Sequence, residues 1–377
     1  METLDSIKKP QEGQVSSSRG RGGAPGVFSI IPQINIKVVG LGGGGCSSVN
    51  RMASQIMGVD FLAINTDVQN LRTLENKRIK KLRIGRSVTK GLGAGMNPET
   101  GKKATENERD KIQDLLRGAD LVFITAGLGG GTGTGAFPII AEAAKRLKAL
   151  TVGIVTKPFS FEGLQRQHIA EKGIRAIKNN VDSLIIISND RIFQMIKRGT
   201  GVKQAFGTVD KIIKESVQTI SDLLVIPGII NIDFADLKAI LGDSGLALIG
   251  IGKASGNDRA SEAARLALAS PLLDYSIEGA SGLLFNVTGG EDLSMREVEE
   301  AAKVLTKSVD PEANIIFGAI RDDTLGNKIR ISVIATGLSK EKAKPRPELE
   351  EIQQPKLKKK EFEIPAFIRK KMELMNK

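Results

Sequence analysis

The chain is poor in the residues that build most metal and disulfide sites. It has one cysteine, Cys46, one histidine, His168, and no tryptophan in 377 residues. A single cysteine excludes an internal disulfide and a cysteine-rich metal site, and it fits a reducing compartment. A single histidine argues against a histidine-based zinc site and against a Ser-His-Asp triad. We expect His168 to be an ordinary residue on a helix surface.

Long apolar runs are also missing. No stretch reaches the ~18 apolar residues of a membrane-spanning helix, and the N-terminus lacks the apolar core of a signal peptide. The sequence therefore predicts a cytoplasmic protein without a transmembrane segment. Its apolar fraction of 40% and charged fraction of 26% are ordinary for a soluble protein, and its length allows two domains.

Aromatic residues make up only 4% of a chain whose formal net charge is +12. Residues 338–377 contribute +5 of that charge and residues 1–33 contribute +1, which leaves +6 for the body. A basic protein can bind nucleic acid. Here no aromatic side chains are interleaved with the basic residues, so we expect no nucleic-acid partner.

Short apolar runs that alternate with helical patterns dominate the first half of the chain. Strands that alternate with helices, joined by loops rich in Gly, Asn or Asp, indicate an α/β fold with a doubly wound parallel sheet. The strands are predicted at 34–39, 61–64, 82–84, 121–125, 151–155 and 183–188. The helices are predicted through Val49 and Met52 and at 105–116, 139–147 and 165–178.

The pattern changes after residue 201. Residues 202–224 carry apolar side chains at helical spacing and predict one long central helix. The order strand, helix, strand, helix, strand, strand then predicts a smaller α+β domain. Its strands are expected at 247–251, 282–288, 313–320 and 328–335, and its helices at 259–269 and 294–308.

Composition marks the two ends of the chain. The first 33 residues are rich in Ser, Gly, Gln and Pro and predict a disordered arm. The residues after Gly337 are charged and contain prolines, which predicts a flexible linker. The chain then closes with apolar side chains, including Phe362 and Phe367, that predict docking on another protein. The predicted parts are an arm (1–33), a nucleotide-binding domain (34–201), the central helix (202–224), an α+β domain (225–337), a linker (338–360) and a partner-binding peptide (361–377).

The most informative stretch is 121–135, LVFITAGLGGGTGTG. It begins as a buried strand and becomes almost pure glycine and threonine before a helical pattern starts at Phe137 and Pro138. Glycines let backbone N–H groups close on an anion, and the N-terminus of the next helix adds partial positive charge. The threonine hydroxyls add further donors. A flexible linker would not lie between a buried strand and an amphipathic helix, so the stretch predicts phosphate binding.

Two more glycine turns follow predicted strands, at 40–45 and 91–95. The first contains GxGxxG, and Asp67 ends the second strand as a ribose-binding acid would, so an NAD-type Rossmann protein is the main alternative. A pyrophosphate needs one glycine turn, however, and this chain offers three. The P-loop pattern GxxxxGK[ST] is missing. We therefore predict a triphosphate held by backbone amides and helix dipoles, with Mg²⁺ on its phosphates and no metal held by protein side chains alone.

Taken together, these motifs resemble those of the tubulin/FtsZ GTPase family, and in particular its bacterial cell-division members. GGGTGTG (129–135) is the tubulin-type signature, and the match runs in order from about residue 34 to residue 337. The segment EIPAFIRKK (363–371) is similar to the C-terminal peptide of that family. The supporting motifs are GGGG (42–45), AINTD (63–67), GLGAGMNP (91–98), PFSFEG (158–163), SNDR (188–191) and NIDFAD (231–236).

The resemblance implies that residues 34–201 form a GTP-binding domain. Family members often have Asn where Cys46 and Ser47 stand, but both residues still offer a backbone N–H. Leu164 and Gln165 replace basic residues that often precede Arg166. The phosphates would lie on Gly43, Gly44, Gly45, Cys46, Ser47, Ala94, Gly95, Gly130, Gly131, Thr132, Gly133 and Thr134.

The resemblance also implies a nucleoside end of the site. Glu162 and Arg166 would contact the ribose and phosphate side, Asn189 and Asp210 the guanine edge, and Phe206 would stack on the base. A carboxylate such as Asp210 accepts from both N1–H and the 2-amino group of guanine, which adenine does not offer. Phe206 and Asp210 are spaced i, i+4 and share one helix face.

By the same resemblance, residues 228–236 form a loop that a neighbouring subunit inserts over the nucleotide. Asp233 and Asp236 would polarise the attacking water and Asn231 would help to orient it, because positioning and charge stabilisation dominate phosphoryl transfer. From the residues alone, helix capping is the simpler interpretation of this motif.

The implied function is that of a cytoskeletal GTPase of the cytoplasm. The chain would form head-to-tail filaments of itself, hydrolyse GTP between adjacent subunits, and build a contractile Z ring at the mid-cell division site on the inner face of the membrane. Residues 361–377 would bind membrane-tethering and regulatory division proteins. A nucleotide-regulated scaffold that does not hydrolyse GTP remains an alternative, although the acids of the 228–236 loop argue against it.

Overall fold

The computed structural model describes residues 34–197, 199–226, 228–270 and 276–338. All of them belong to one compact unit that begins at Ile34. The predicted arm, residues 339–360 of the predicted linker and the predicted partner-binding peptide lie outside the described residues.

Among the described residues, ten strands form one sheet in the order β3-β2-β1-β4-β5-β6-β7-β10-β8-β9. The pairs from β3 to β7 are parallel, and β10 runs antiparallel to both β7 and β8. The strands are β1 Ile36–Leu41, β2 Val59–Asn65, β3 Ile79–Arg83, β4 Leu121–Gly127, β5 Leu150–Lys157, β6 Ser183–Ser188, β7 Gly245–Ser255, β8 Gly282–Gly289, β9 Asn314–Arg321 and β10 Lys328–Thr336.

Helices cover both faces of the parallel strands. The described helices are α1 Gly42–Met52, α2 Val68–Arg72, α3 Arg86–Thr89, α4 Pro98–Glu106, α5 Arg109–Leu116, α6 Gly131–Arg146, α7 Leu164–Lys178, α8 Val202–Val225, α9 Phe234–Leu241, α10 Arg259–Leu268 and α11 Met295–Thr306. Short 3-10 helices occupy Ser160–Glu162, Asn189–Gln194 and Asp323–Leu325.

The parallel strands are continuous apolar runs because both of their faces are buried. In β4, Phe123 packs into the core beneath α1 and α8, whereas Val122 and Ile124 pack into the core beneath α5 and α6. A third core lies between the C-terminal strands and the helix pair α10 and α11. The capping box of Ser294 and Glu297 fixes where α11 begins.

The central helix α8 joins the two parts of the sheet. Its apolar face, which includes Val217 and Ile220, packs into the same core as Ile249 of β7 and Ile334 of β10. The fold class predicted from the sequence is confirmed: a parallel α/β sheet, a long central helix and a smaller α+β part with the predicted strand and helix order.

Two local predictions were wrong. The glycine turns at 42–45 and 131–135 are not loops before helices but the first turns of α1 and α6. The predicted helix 105–116 is two helices, α4 and α5, with Asn97 capping the first. The helix-capping interpretation of residues 231–236 is confirmed, because Asp233 caps α9, although the eight residues of this helix gave no clear period of their own.

Candidate nucleotide-binding site and candidate catalytic loop

The C-terminal ends of parallel strands meet at one edge of a sheet, and ligands bind there in folds of this type. The three predicted glycine turns lie at that edge, after β1, β3 and β4. The segment 158–163 follows β5, and Asn189 follows β6 directly. The start of α8 brings Phe206 and Asp210 to the same edge, because the hydroxyl of Ser48 in α1 donates to the carboxylate of Asp210.

Helix α1 begins without any loop after β1, and glycine is what permits this. A Cβ on Gly45 would collide with the carbonyl oxygen of Thr125 in β4, and one on Gly40 would collide with the carbonyl oxygen of Gly45. Gly43 and Gly44, in contrast, are exposed at the helix start. The first amides of α1 therefore face open space with the positive end of the helix dipole behind them, which is an anion-binding arrangement.

Helix α6 provides a second N-terminus at the same edge. The loop after α3 folds over its first turn, where the N–H of Gly131 donates to the carbonyl oxygen of Gly95 at 2.6 Å. A Cβ on Gly131 would lie 2.7 Å from the carbonyl oxygens of Ala94, Gly95 and Asn97. Gly130 and Gly95 have no atom within 4 Å of an added Cβ, so they line open space.

The threonine hydroxyls of this stretch bind the protein itself. Thr132 shares a hydrogen bond of 2.6 Å with Thr66, which follows β2, and Thr134 accepts from the N–H of Gly129 at 3.1 Å. Both threonines are buried. A Cβ on Gly133 would lie 3.1 Å from the carbonyl oxygen of Gly127. These contacts hold the α6 turn in place and leave phosphate contacts to the backbone.

The side chains of Cys46 and Ser47 differ in their surroundings. Cys46 is buried, and its thiol donates to the carbonyl oxygens of Gly40 at 3.4 Å and Ile64 at 3.6 Å. Burial raises the pKa of this thiol to about 12, so it stays protonated and unreactive. Ser47 is half-buried in the first turns of α1. Cys46 can thus offer a ligand only its backbone N–H.

The base-binding residues predicted from the sequence lie together. Phe206 is 41% exposed and stands edge-on to Phe159, with 5.5 Å between the ring centroids. Asp210 is 9% exposed, accepts from Ser48 and pairs with Arg51, one helical turn further along α1. Asn189 is 6% exposed, and its side-chain oxygen has no hydrogen-bond partner among the described residues.

The predicted ribose-side residues form an ion pair. Arg166, in the first turn of α7, pairs with Glu162 of the preceding 3-10 helix. Glu162 also accepts from the N–H of Phe159 at 2.9 Å, which ties the segment after β5 into a compact turn. The backbone of Arg166 also lies close to Gly129, because a Cβ on that glycine would be 3.0 Å from the carbonyl oxygen of Arg166.

The predicted catalytic residues lie at the other end of α8. Asn231 accepts from the N–H of Gly228 at 2.7 Å, and Asp233 caps α9 by accepting from the N–H of Asp236 at 2.8 Å. The carboxylate of Asp236 is exposed, and no described residue binds it. An antiparallel bridge between Ile230 and Ala319 anchors the loop to β9.

The structure does not bring these acids to the nucleotide-binding edge. Helix α8 separates them, and its length from Asp210 to Val225 alone is about 23 Å. The loop of one chain therefore cannot reach the candidate nucleotide site of the same chain. The two predicted sites therefore lie at opposite ends of α8.

The open glycines and the unpartnered oxygen of Asn189 together fit a guanine nucleotide. An orphaned buried acceptor is costly unless a ligand supplies the donor, and the 2-amino group of guanine is such a donor.

Among the described residues no group of three or more His, Cys, Asp or Glu side chains is placed to hold a metal ion. No described helix is long and apolar enough to cross a membrane.

Sequence reasoning missed several contributors to the site. Ser48 and Arg51 hold Asp210, Thr66 holds Thr132, and Phe159 backs Phe206. Ser48 and Arg51 are three residues apart in α1 and lie on one face of that helix. Contact of both residues with one side chain of α8 could therefore have been suspected. The pairing of Thr66 with Thr132 joins residues 66 positions apart and had no sequence signal.

Comparison with known proteins gives the same assignment along the chain. Residues 35–197 match the Tubulin/FtsZ family, GTPase domain, and residues 245–339 match the FtsZ family, C-terminal domain.

Solved structures agree with these matches. The empty FtsZ dimer of M. jannaschii is 39% identical over 88% of this chain and 97% of that chain, with a TM-score of 0.78. A mutant FtsZ of M. jannaschii is 41% identical over 81% and 92%, with a TM-score of 0.77. The GTPγS-bound protofilament of CetZ2 from Haloferax volcanii is 19% identical over 81% and 94%, with a TM-score of 0.69, and shares the fold.

Proposed function

Because this chain belongs to the tubulin/FtsZ family, we propose that it is a GTPase whose active site is completed only when two copies meet head to tail. The observation that carries the proposal is the separation of the nucleotide-binding edge from the acidic loop by the full length of α8. A second copy that places its loop over the first copy's nucleotide removes this separation.

The binding half of the proposal is that GTP and GDP bind at the edge formed by α1, α6 and the loop after α3. Backbone amides at Gly43, Gly44 and Gly130 would hold the phosphates. Asn189 would accept from the 2-amino group of guanine, and Phe206 would stack on the base. Asp210 would accept from N1–H once it shares its charge between Arg51 and the base. Mg²⁺ bound to the phosphates would neutralise part of their charge.

The catalytic half assigns different roles to the residues of the loop. Asn231 and Asp233 hold the loop shape through their own backbone contacts. Asp236 carries the free carboxylate, so it would orient and polarise the water that attacks the terminal phosphate. Hydrolysis then depends on assembly, because no copy contains both halves in reach of each other.

Exposed apolar side chains near the two sites support a head-to-tail contact. The front surface, defined by Phe161, Leu164, Phe193 and Val202, follows the strand ends beside the nucleotide-binding residues, and all four are more than half exposed. The rear surface, defined by Met57, Val225, Ile226 and Ile229, lies at the far end of α8 next to the acidic loop. Front-to-rear contact is heterologous and generates open filaments.

The cellular role we propose is that of a filament-forming division protein that marks the site of septum formation. Membership of the family supports the cytoskeletal part of this proposal. The Z ring, the mid-cell location at the inner face of the membrane, the bacterial source and the binding of a membrane tether through residues 361–377 are proposed from the sequence resemblance.

The experiment that tests the proposal measures phosphate release against protein concentration at saturating GTP. If two copies form each active site, the rate per molecule is near zero in dilute solution and rises steeply when filaments form, which light scattering detects in the same sample. A constant rate per molecule at all concentrations would refute the shared site. Binding of labelled GTP without any phosphate release, even in filaments, would favour the scaffold alternative.

A further inference from the structure

One edge of the ten-stranded sheet is strongly basic. Residues 72–90, which contain the edge strand β3, carry eight Lys or Arg side chains and one acidic residue, Glu75. Residues 34–337 together have a net charge of only +6, whereas residues 72–90 alone have a net charge of +7. Nothing in the proposed nucleotide site uses this charge.

Protection of an edge strand explains only part of this charge. Lysines on an edge strand discourage pairing with other strands, which accounts for Lys80 and Lys81. Arg78 is held inward, because it donates to the carbonyl oxygens of Ala53 at 2.5 Å and Ile56 at 2.9 Å. Four more cations lie off the strand, are exposed and have no partner among the described residues: Arg72, Lys77, Arg86 and Lys90.

The opposite edge of the sheet has the opposite charge. Residues 290–323, which contain α11 and the edge strand β9, carry nine Asp or Glu and four Lys or Arg. Arg259 of α10 neutralises part of this charge by pairing with Asp292 and Glu297. Glu291 and Asp323, however, are 82% and 64% exposed in their side chains and share the single cation Arg321.

We propose that the basic edge of one copy binds the acidic edge of a second copy, side by side. The basic edge is defined by residues 72–90 and the acidic edge by residues 290–323. The contact is heterologous, so it continues from copy to copy and generates sheets or bundles. If filaments form, many such contacts act together along their length, so a weak electrostatic attraction becomes effective.

Charge complementarity selects a second copy as the partner. An anionic lipid surface would satisfy the basic edge but would leave the acidic edge, at the far side of the sheet, without a partner. Single-stranded nucleic acid would need aromatic side chains for stacking. The described residues 72–90 contain none. A second copy satisfies both edges at once.

A zero-length carbodiimide cross-linker, which joins a lysine amine to a carboxylate in contact with it, tests this proposal directly. The two edges of one chain are separated by nine strand spacings, about 43 Å, so a cross-link between them can form only between two copies. At low salt we expect mass spectrometry to detect links from Lys77 or Lys80 to acids in 290–323. High salt should reduce these links about fivefold or more, because exposed charges are screened.

Two contacts within the chain serve as internal controls for the reagent. Lys145 lies 2.8 Å from Asp243, and Lys253 lies 3.3 Å from Glu215, so both pairs should cross-link in every sample. If these links form at low salt and no edge-to-edge link does, with or without GTP, the proposal is wrong. The measurement does not require hydrolysis, so it can succeed even if the proposed GTPase function fails.

Charge reversal gives a second, independent test by low-speed sedimentation of bundles at low salt. Lys77→Glu with Lys80→Glu should remove most of the pellet, and Glu312→Lys with Asp323→Lys should do the same. All four changes together should restore it, because the edges are again opposite in charge. A quadruple variant that stays in the supernatant would contradict the proposal.

The matched control is Lys172→Glu with Lys178→Glu, two exposed residues of α7 that change the net charge equally. We expect it to pellet like the unaltered protein. An equal loss in this control would assign the effect to net charge and overturn the proposal.

Vesicles of phosphatidylglycerol complete the test. If Lys77→Glu with Lys80→Glu abolishes vesicle binding and no edge-to-edge cross-link forms, the basic edge binds lipid and the proposal is overturned.

Discussion

At the scale of single residues, the acidic loop separates structural from reactive carboxylates. The side chain of Asp233 caps the N-terminus of α9. Asp236, in contrast, presents an exposed carboxylate that no described residue binds. An N-cap contributes about 1 kcal/mol, so loss of Asp233 alters the loop as well as its charge. Substitution of Asp233 should therefore disturb the shape of the loop, whereas substitution of Asp236 should remove only its carboxylate.

Asp236→Ala should bind GTP and assemble like the unaltered protein but hydrolyse GTP about 100-fold more slowly or worse, because the polarising carboxylate is lost. Asp233→Asn keeps a capping side chain and is the matched control, and it should retain more activity than Asp233→Ala. Phosphate release and light scattering on the same samples separate chemistry from assembly. Unimpaired hydrolysis by Asp236→Ala would remove this residue from the catalytic role.

Asp222 of α8 gives a prediction about pH. Burial raises the pKa of this carboxyl to about 6, although the cation Arg330, 3.9 Å away, opposes the shift. The native chain thus binds a proton more tightly than the unfolded chain does, and the ionised group destabilises the fold above pH 6. The free energy of unfolding should fall as pH rises from about 4 through the native pKa.

Asp222→Asn should therefore raise the melting temperature at pH 7.5 and change it much less at about pH 4 or below, where this carboxyl is largely protonated in both the native and the unfolded chain. The gain at pH 7.5 is at most about 3 kcal/mol, from a rise of roughly two pKa units. Asp114→Asn, which changes an exposed carboxylate, is the control and should show no such dependence. An equal effect of Asp222→Asn at both pH values would contradict the assignment.

At the scale of elements, the first turns of α1 and α6 explain why this site contains so many glycines. Some are needed for packing, such as Gly45 beneath Thr125, and others, such as Gly43, leave room for a ligand. The two helix dipoles then converge on one anion without a lysine. We therefore expect the position of the backbone, and not side-chain chemistry, to determine phosphate binding at this site.

Gly45→Ala should weaken GTP binding more than tenfold, because the added Cβ pushes the start of α1 away from β4. Gly207→Ala, in α8, is the control: no atom lies within 4 Å of its added Cβ. Titration of a fluorescent guanine nucleotide measures both affinities. Equal affinity in the two variants would show that the α1 turn does not hold the phosphates.

At the scale of the whole molecule, α8 acts as a spacer that gives the chain two different ends. One end carries the candidate nucleotide site and the other presents the acidic loop, so in the proposed function the unit of activity is a contact between copies. The edges of the sheet provide a second, perpendicular direction for association. The proposed head-to-tail contact is apolar and the proposed side-by-side contact is electrostatic, so salt should act mainly on the second.

Removal of residues 361–377 tests the peripheral role of the C-terminus, which lies outside the described residues. The shortened chain should hydrolyse GTP and form filaments at the normal rate, because both halves of the site lie within 34–338. It should lose binding to a membrane-tethering division protein, measured by co-sedimentation. Unchanged binding of that partner would contradict the assignment of this peptide.

The amino-acid sequence by itself determined the local features of this protein. Strand periodicity and the glycine turns depend on neighbours in the chain, so the fold class and a glycine-rich edge could be predicted from them. The assignment of Phe206 and Asp210 to the base came from the resemblance to the family and stays a prediction. The start of α6 could not, because glycine is a poor helix former and only tertiary contacts hold Gly131 helical.

Only the tertiary structure decided which parts of the chain meet. It placed Ser48 and Arg51 on Asp210, buried the thiol of Cys46, and set the acidic loop at the far end of α8. It also sent the basic and acidic segments to opposite edges of one sheet. These relations join residues far apart in sequence, and the order of strands fixes them, which no local pattern records.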